Sequence, residues 1–161
     1  MAAVVAEPAP DLIEPLIGYR QWCIDETALW SPFMSYRWVR GVNSARCPLD
    51  TGHADPPPGH ECVCGIHAWY RPCPRLGYAT PGLVGGAVVL WGAVELHPTG
   101  LRAQHAAVVA LVLPLAHTGK RRRLVEIANA LEVETVPARQ LTKTALEHGL
   151  PVAPELVPSA A

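Results

Sequence analysis

One proline-rich segment, Cys47 to Pro74, most constrains what this chain can fold into. It holds four of the five cysteines, three of the seven histidines and six of the 17 prolines. Proline lacks the N–H that a helix interior or a central strand needs, so we predict an irregular loop here. Because ordering each residue costs about 1–2 kcal/mol, so long a loop needs something more than its backbone to hold it.

The cysteine and histidine spacing in this loop predicts a metal site. The candidate ligands are Cys47, His53, Cys62 and Cys64. Thiolate sulfur and neutral imidazole nitrogen are the donors that tetrahedral zinc binds at about 2.0–2.3 Å. Cys62 and Cys64 are too close for an easy mutual disulfide, but both can bind one ion, and Gly65 permits a turn directly after them. A closed set of four ligands predicts a structural Zn²⁺.

Alternatives to this set remain open at this stage. His60, His67 and Cys73 are reserve ligands, and replacement of His53 by His60 or His67 is the main alternative. An iron–sulfur cluster is another, as are cysteines that are simply buried apolar side chains. A zinc-dependent hydrolase would need His60, Glu61 or His67 to complete an open site, and the sequence has no His-Glu-x-x-His motif.

Hydrophobic periodicity outside the loop predicts an α+β fold. Residues 16–40 alternate as short strands do, and residues 85–113 predict a long β-hairpin, although its second arm could also be a helix. Apolar residues at helical spacing over 124–131 predict one helix, and Pro137 begins a second. We therefore expect a small antiparallel β-sheet or partly open barrel with a zinc-stapled proline-rich loop and two C-terminal helices.

Composition divides the chain into three parts. Residues 1–15 are rich in Ala and Pro and predict a flexible lead-in, residues 16–150 form a single zinc-binding domain, and residues 151–161 predict an extended tail. No secretory signal is visible, and the longest apolar run, 106–116, is too short to span a membrane. We therefore expect a cytoplasmic protein without membrane contact, in a reducing compartment that favours metal ligands over disulfides.

Several stretches resemble a known family. They are His53-Ala54, then 62–68 (Cys-Val-Cys-Gly-Ile-His-Ala), 89–95 (Val-Leu-Trp-Gly-Ala-Val-Glu) and 100–103 (Gly-Leu-Arg-Ala). The family comprises small uncharacterised proteins of actinobacteria and their phages, with a Cys-x-Cys-Gly-Ile-Tyr-Ala signature and a later Trp-Gly hairpin. The likeness covers about residues 16–115 and, more loosely, the C-terminal helices. It implies a defined fold and no particular activity, and the His at position 67, where the family has Tyr, implies that His67 is not an essential ligand.

A basic cluster is the second functional candidate. It consists of Lys120, Arg121, Arg122 and Arg123, and the net charge of the whole chain is only −1. Four adjacent cations before a helix are disfavoured by the helix dipole, so they suggest contact with phosphate or nucleic acid, or else a solvated linker. Residues 124–143 partly resemble a helix-turn-helix, but Glu132 and Pro137 favour helix, strand, helix instead.

The function predicted first is a zinc-stabilised, non-enzymatic binding or regulatory module. The alternatives are a DNA-binding transcriptional regulator that uses Lys120 to Arg123 and the last two helices, and the zinc-dependent hydrolase. The partner, protein or nucleic acid, and the oligomeric state stay unresolved by the sequence.

Overall fold

The computed structural model describes residues 7–8 (backbone only), 14–49, 53–73, 82–115 and 119–160. The strands are β1 (Glu7–Pro8), β2 (Leu16–Ile24), β3 (Leu29–Trp30), β4 (Asn43–Ser44), β5 (Ile66–Trp69), β6 (Leu83–Leu96), β7 (Gly100–Val112) and β8 (Glu134–Val136). The helices are α1 (Gly119–Leu131) and α2 (Leu141–Ala145), with 3₁₀ turns at Ala138–Gln140 and Pro154–Leu156.

The predicted β-hairpin is the centre of the fold. β6 and β7 pair antiparallel along most of their length, with Leu96 opposite Leu101 and Glu95 opposite Arg102 beside the turn. The second arm is a strand, so the helical alternative for it was wrong. Most positions of both strands are apolar because both faces of the hairpin are covered along most of its length, and a strand buried on two faces has no polar alternation.

The sheet is partly ring-like without being a barrel. Within the described residues, β1 to β7 pair antiparallel, and β8 pairs parallel to β7. The pairings β6–β2, β2–β5, β5–β7 and β7–β6 complete a ring, but β2 and β5 share only the pair Tyr19 and Trp69. Nη1 of Arg20 donates to the backbone oxygen of His67 at 3.1 Å across this weakly paired junction. The α+β expectation is confirmed.

One helix covers each face of the sheet. Leu124 and Ile127 of α1 pack in a core cluster with Trp22, on one face of β2. Leu141 of α2 packs in a second cluster with Tyr19, on the opposite face of the same strand. Between the helices lies β8, so the C-terminal part is helix, strand, helix and not a helix-turn-helix. This arrangement leaves the proline-rich loop on the side of β5 and the turn of the hairpin.

The loop is less irregular than the sequence predicted. Residues Ile66–Trp69 form β5, which pairs with β7, so the expectation of an irregular segment throughout 47–74 was wrong. These four residues contain no proline, and they alternate between buried and exposed positions as a strand with one covered face does. A strand therefore follows the Cys-x-Cys pair almost directly and fixes its distance from the sheet.

The two ends of the chain are described only in part. β1 pairs with the end of β6, while the remainder of the predicted lead-in, residues 1–6 and 9–13, lies outside the described residues. In the predicted tail, Pro154–Leu156 form a 3₁₀ turn. None of the helices in the described part of the chain combines the length and the apolar character that a membrane crossing requires.

Candidate metal centre

The loop brings the four predicted ligands together. The ligand atoms of Cys47, His53, Cys62 and Cys64 all lie within 4.8 Å of one another. Cys47 precedes residues 50–52, which lie outside the described residues, and the two remaining cysteines stand just before β5. The centre is thus built from two separate parts of the loop that meet beside the sheet.

Two separations within the cluster are close to the edges of a zinc tetrahedron. Sγ of Cys47 lies 3.6 Å from Sγ of Cys62, and Sγ of Cys64 lies 3.5 Å from Nε2 of His53. A tetrahedron with zinc bond lengths has edges of about 3.8 Å between two sulfurs and about 3.6 Å between sulfur and nitrogen. A disulfide would place the sulfurs at about 2.0 Å, and all of these cysteines are free thiols.

His53 is held in the tautomer that a metal ligand requires. Its Nδ1 lies 2.7 Å from the backbone oxygen of Asp55, which can only accept a hydrogen bond. Nδ1 therefore carries the proton, and the lone pair of Nε2 faces the three sulfurs. The Asp55 carbonyl, and then the Cys47 sulfur, raise the pKa of His53, which makes the imidazole a more basic ligand.

Cys64 is the buried member of the set, and a backbone group supports its sulfur. Its side chain is 3% exposed, and burial raises the pKa of its thiol. The N–H of Gly59 donates to Sγ at 3.1 Å and favours the thiolate. A bound cation would offset the remaining cost of burying the thiolate, because metal binding and thiol deprotonation are linked.

The reserve ligands lie outside the cluster. Among the described residues, the four-ligand group includes none of His60, His67 and Cys73. Nε2 of His67 lies 3.1 Å from the backbone oxygen of Val63, on the exposed face of β5. His60 is exposed, and Cys73 lies beyond the end of β5. The geometry selects His53 as the histidine of the set.

Sequence reasoning missed the side chain that connects the site to the sheet. Nη1 of Arg102 donates to the backbone oxygens of Cys62 and Cys64, the second at 3.0 Å. Nη2 donates to Oε1 of Glu95, the cross-strand neighbour. A signal was available, because a hairpin with its turn at His97–Gly100 places these two opposite charges across from each other.

Two residues of the basic cluster form hydrogen bonds to the protein's own backbone. Lys120 donates from Nζ to the backbone oxygen of Leu83 at 2.6 Å, and Arg121 donates from Nη1 to that of Pro114 at 3.2 Å. Arg122 and Arg123 are exposed on α1. Because consecutive residues of a helix point in different directions, the four cations do not form one surface.

Comparison with protein-family models, curated proteins and solved structures gave no match. The geometry of the Cys/His cluster and of its supporting contacts therefore carries the functional conclusion.

Proposed function

We propose that this chain is a zinc-stabilised, non-enzymatic binding module in which Cys47, His53, Cys62 and Cys64 hold one structural Zn²⁺. The observation that carries the proposal is the convergence of three sulfurs and one imidazole nitrogen within 4.8 Å. Three thiolates with one imidazole are a common donor set of structural zinc sites. The orientation of His53 by the Asp55 carbonyl adds the outer hydrogen bond that zinc-binding histidines almost always make.

A structural role follows from the number of ligands. Four protein donors complete a tetrahedron and leave no position for a water molecule or a substrate, which a catalytic zinc needs. His60, Glu61 and His67, any of which a hydrolase could use to complete an open site, are all exposed, and none belongs to the cluster that the described residues form. The closed set therefore favours the non-enzymatic form of the proposal over the hydrolase.

The ion would stabilise the fold by closing the loop. It would join Cys47 to the Cys-x-Cys pair that leads directly into β5, and so fix the loop beside the sheet. Because the unfolded chain holds no preformed site, an ion that binds the folded state alone adds its binding free energy to the stability of the fold. Zinc should consequently raise the melting temperature of the protein.

A protein partner is part of this proposal. Two of the four cations in the basic cluster contact backbone carbonyls, and of the two exposed arginines Arg122 lies 3.8 Å from Glu126. If these two arginines bound nucleic acid, the affinity would depend only weakly on salt concentration. The reason is that the salt dependence of the binding constant scales with the number of phosphates that the protein neutralises. Steeply salt-dependent binding to duplex DNA would instead support the regulator alternative.

Elemental analysis of the full chain, purified without added metal, tests the site. The expected result is one zinc per chain in the wild type, with Cys64→Ser losing both the metal and thermal stability. Cys73→Ser is the matched control, because this cysteine belongs to the same segment but lies outside the cluster. His53→Gln and His60→Gln form a second matched pair, in which only the first should lose zinc.

Two outcomes would overturn the proposal. One is a wild-type protein that is fully folded without metal and gains no stability from added zinc. The other is equal zinc loss in Cys64→Ser and Cys73→Ser. An iron–sulfur cluster would show itself as iron and acid-labile sulfide in the same preparation, and this result would also contradict zinc.

A further inference from the structure

We infer that Arg102 is a positioning residue for the zinc site, in which its guanidinium holds the Cys62–Cys64 pair in the geometry that binds the ion. This inference rests on the proposed function and goes beyond it, because Arg102 contributes no ligand atom. The side chain of Arg102, which belongs to the hairpin, would hold Cys62 and Cys64 in the metal-binding geometry before the ion binds.

A single nitrogen of Arg102 binds both halves of the pair. Nη1 donates to the carbonyl oxygens of Cys62 and Cys64, which are two residues apart. Both carbonyls belong to the short backbone segment that carries the two sulfurs, just before β5. Holding both carbonyls on one donor restricts rotation of the backbone between them, and so restricts the directions in which the two sulfurs leave it.

The guanidinium is itself immobilised by the hairpin. Arg102 is 7% exposed and ion-paired to Glu95, also 7% exposed, which stands opposite it on β6. Nε2 of His97 lies 2.7 Å from Oε1 of Glu95 and 3.2 Å from Nε of Arg102. Because the planar guanidinium has donors at fixed angles, it can bind Glu95 and the two carbonyls at once, which a lysine ammonium cannot do in the same geometry.

The backbone packing beside the site supports the same role. A β-carbon on Gly65 would lie 3.1 Å from Cβ of Arg102 and 3.1 Å from Cβ of Pro58. Gly65 has a positive φ of +113°, which L side chains rarely adopt. The chain after Cys64 therefore runs tightly between the side chain of Arg102 and Pro58, so the segment that carries the two carbonyls is closely packed against Arg102.

Zinc affinity measured by chelator competition tests the inference on the full chain. Arg102→Lys keeps the charge but loses the simultaneous contacts, and it should bind zinc about 10–100-fold more weakly, the usual cost of removing an outer-shell partner. Should that variant fail to fold, Glu95→Leu/Arg102→Met replaces the buried pair with apolar groups, which proteins often tolerate. The double variant should show the same loss of affinity.

A control separates positioning from general stability. Leu141→Ala removes core packing in the cluster around α2, away from the loop, and should lower the melting temperature without changing zinc affinity in the folded state. Substitution with Co²⁺ adds a spectroscopic measure, because Arg102→Lys should shift the thiolate-to-cobalt absorption, while Leu141→Ala should leave it unchanged.

The outcomes distinguish the inference from the proposal on which it rests. A wild type that binds no zinc overturns the proposed function. A wild type that binds zinc, together with an Arg102→Lys or double variant of equal affinity and unchanged cobalt spectrum, overturns only the positioning role. A loss of affinity in Leu141→Ala as large as that in Arg102→Lys would also overturn it.

Discussion

Gly59 lies so close to the imidazole of His53 that a β-carbon on this glycine would stand 2.8 Å from Nε2, the candidate ligand atom. The same glycine donates its N–H to Sγ of Cys64. We expect Gly59→Ala to displace the imidazole and weaken zinc binding at least tenfold, as measured by chelator competition. The physical reason is that the ring cannot retreat without breaking its hydrogen bond to Asp55.

Gly119→Ala provides the matched control for this substitution. A β-carbon on Gly119 meets nothing within 4 Å, so the same chemical change there should leave zinc affinity unaltered. Tight zinc binding by Gly59→Ala would show that the close contact has no part in placing the ligand.

Removal of the metal should loosen the loop before the hairpin. The amide of Gly59 donates to Cys64, and the amide of Cys62 donates to the carbonyl of Gly59, so both depend on the geometry of the centre. After chelation, hydrogen exchange at these two amides should rise at least tenfold, while Leu90 in the middle of β6 stays protected. Equal loss of protection at Leu90 would mean that the ion supports the whole fold, and unchanged exchange at Gly59 would contradict metal binding at this site.

The sequence carried most of the information for the hairpin and for the cluster of three cysteines and one histidine. Mostly apolar residues over 85–96 and 101–113, separated by a His-Pro-Thr-Gly turn, can be accommodated by two strands that are covered on both faces along most of their length. The clustering of the four side chains could be predicted because cysteine and histidine are concentrated in a segment where proline excludes most helix and strand structure. In both cases local pattern and tertiary structure agree.

The contacts between the loop and the sheet could not be predicted in the same way. That Arg102 binds the carbonyls of Cys62 and Cys64 depends on where β5 pairs along β7, and four residues of β5 carry too little pattern to set that register. Similarly, the parallel pairing of β8 with β7 depends on the path of α1 across the sheet. These relationships are long-range, and sequence periodicity reports only local order.

The short helix α2 offers a direct test of how the second face of the sheet is covered. Leu141 is fully buried there, whereas Leu146, which directly follows the last residue of α2, is 50% exposed. Leu141→Ala should lower the free energy of unfolding by about 2–5 kcal/mol, because it leaves a cavity in the core. Leu146→Ala should change it by less than about 0.5 kcal/mol. Chemical denaturation of both zinc-loaded variants measures the difference, and equal effects would show that α2 does not cover this face.

The turn between β2 and β3 should make stability depend on pH through Asp25. Its carboxylate accepts hydrogen bonds from the N–H groups of Thr27 and Ala28 and from Nε1 of Trp30, at 2.8, 2.8 and 2.7 Å. The Thr27 and Ala28 bonds, followed by that of Trp30, lower the pKa of Asp25 in the folded protein.

A depressed carboxyl pKa contributes stability above its unfolded value of about 3.9, and the contribution is lost as pH falls through the folded value. Asp25→Asn should therefore be less stable than the wild type at neutral pH, and the difference should shrink as the pH is lowered below 4. Carbon-13 NMR titration of the Asp25 carboxyl should give a midpoint below the ordinary one. A midpoint at or above the ordinary value, or a stability difference that grows on acidification, would contradict the role of these three hydrogen bonds.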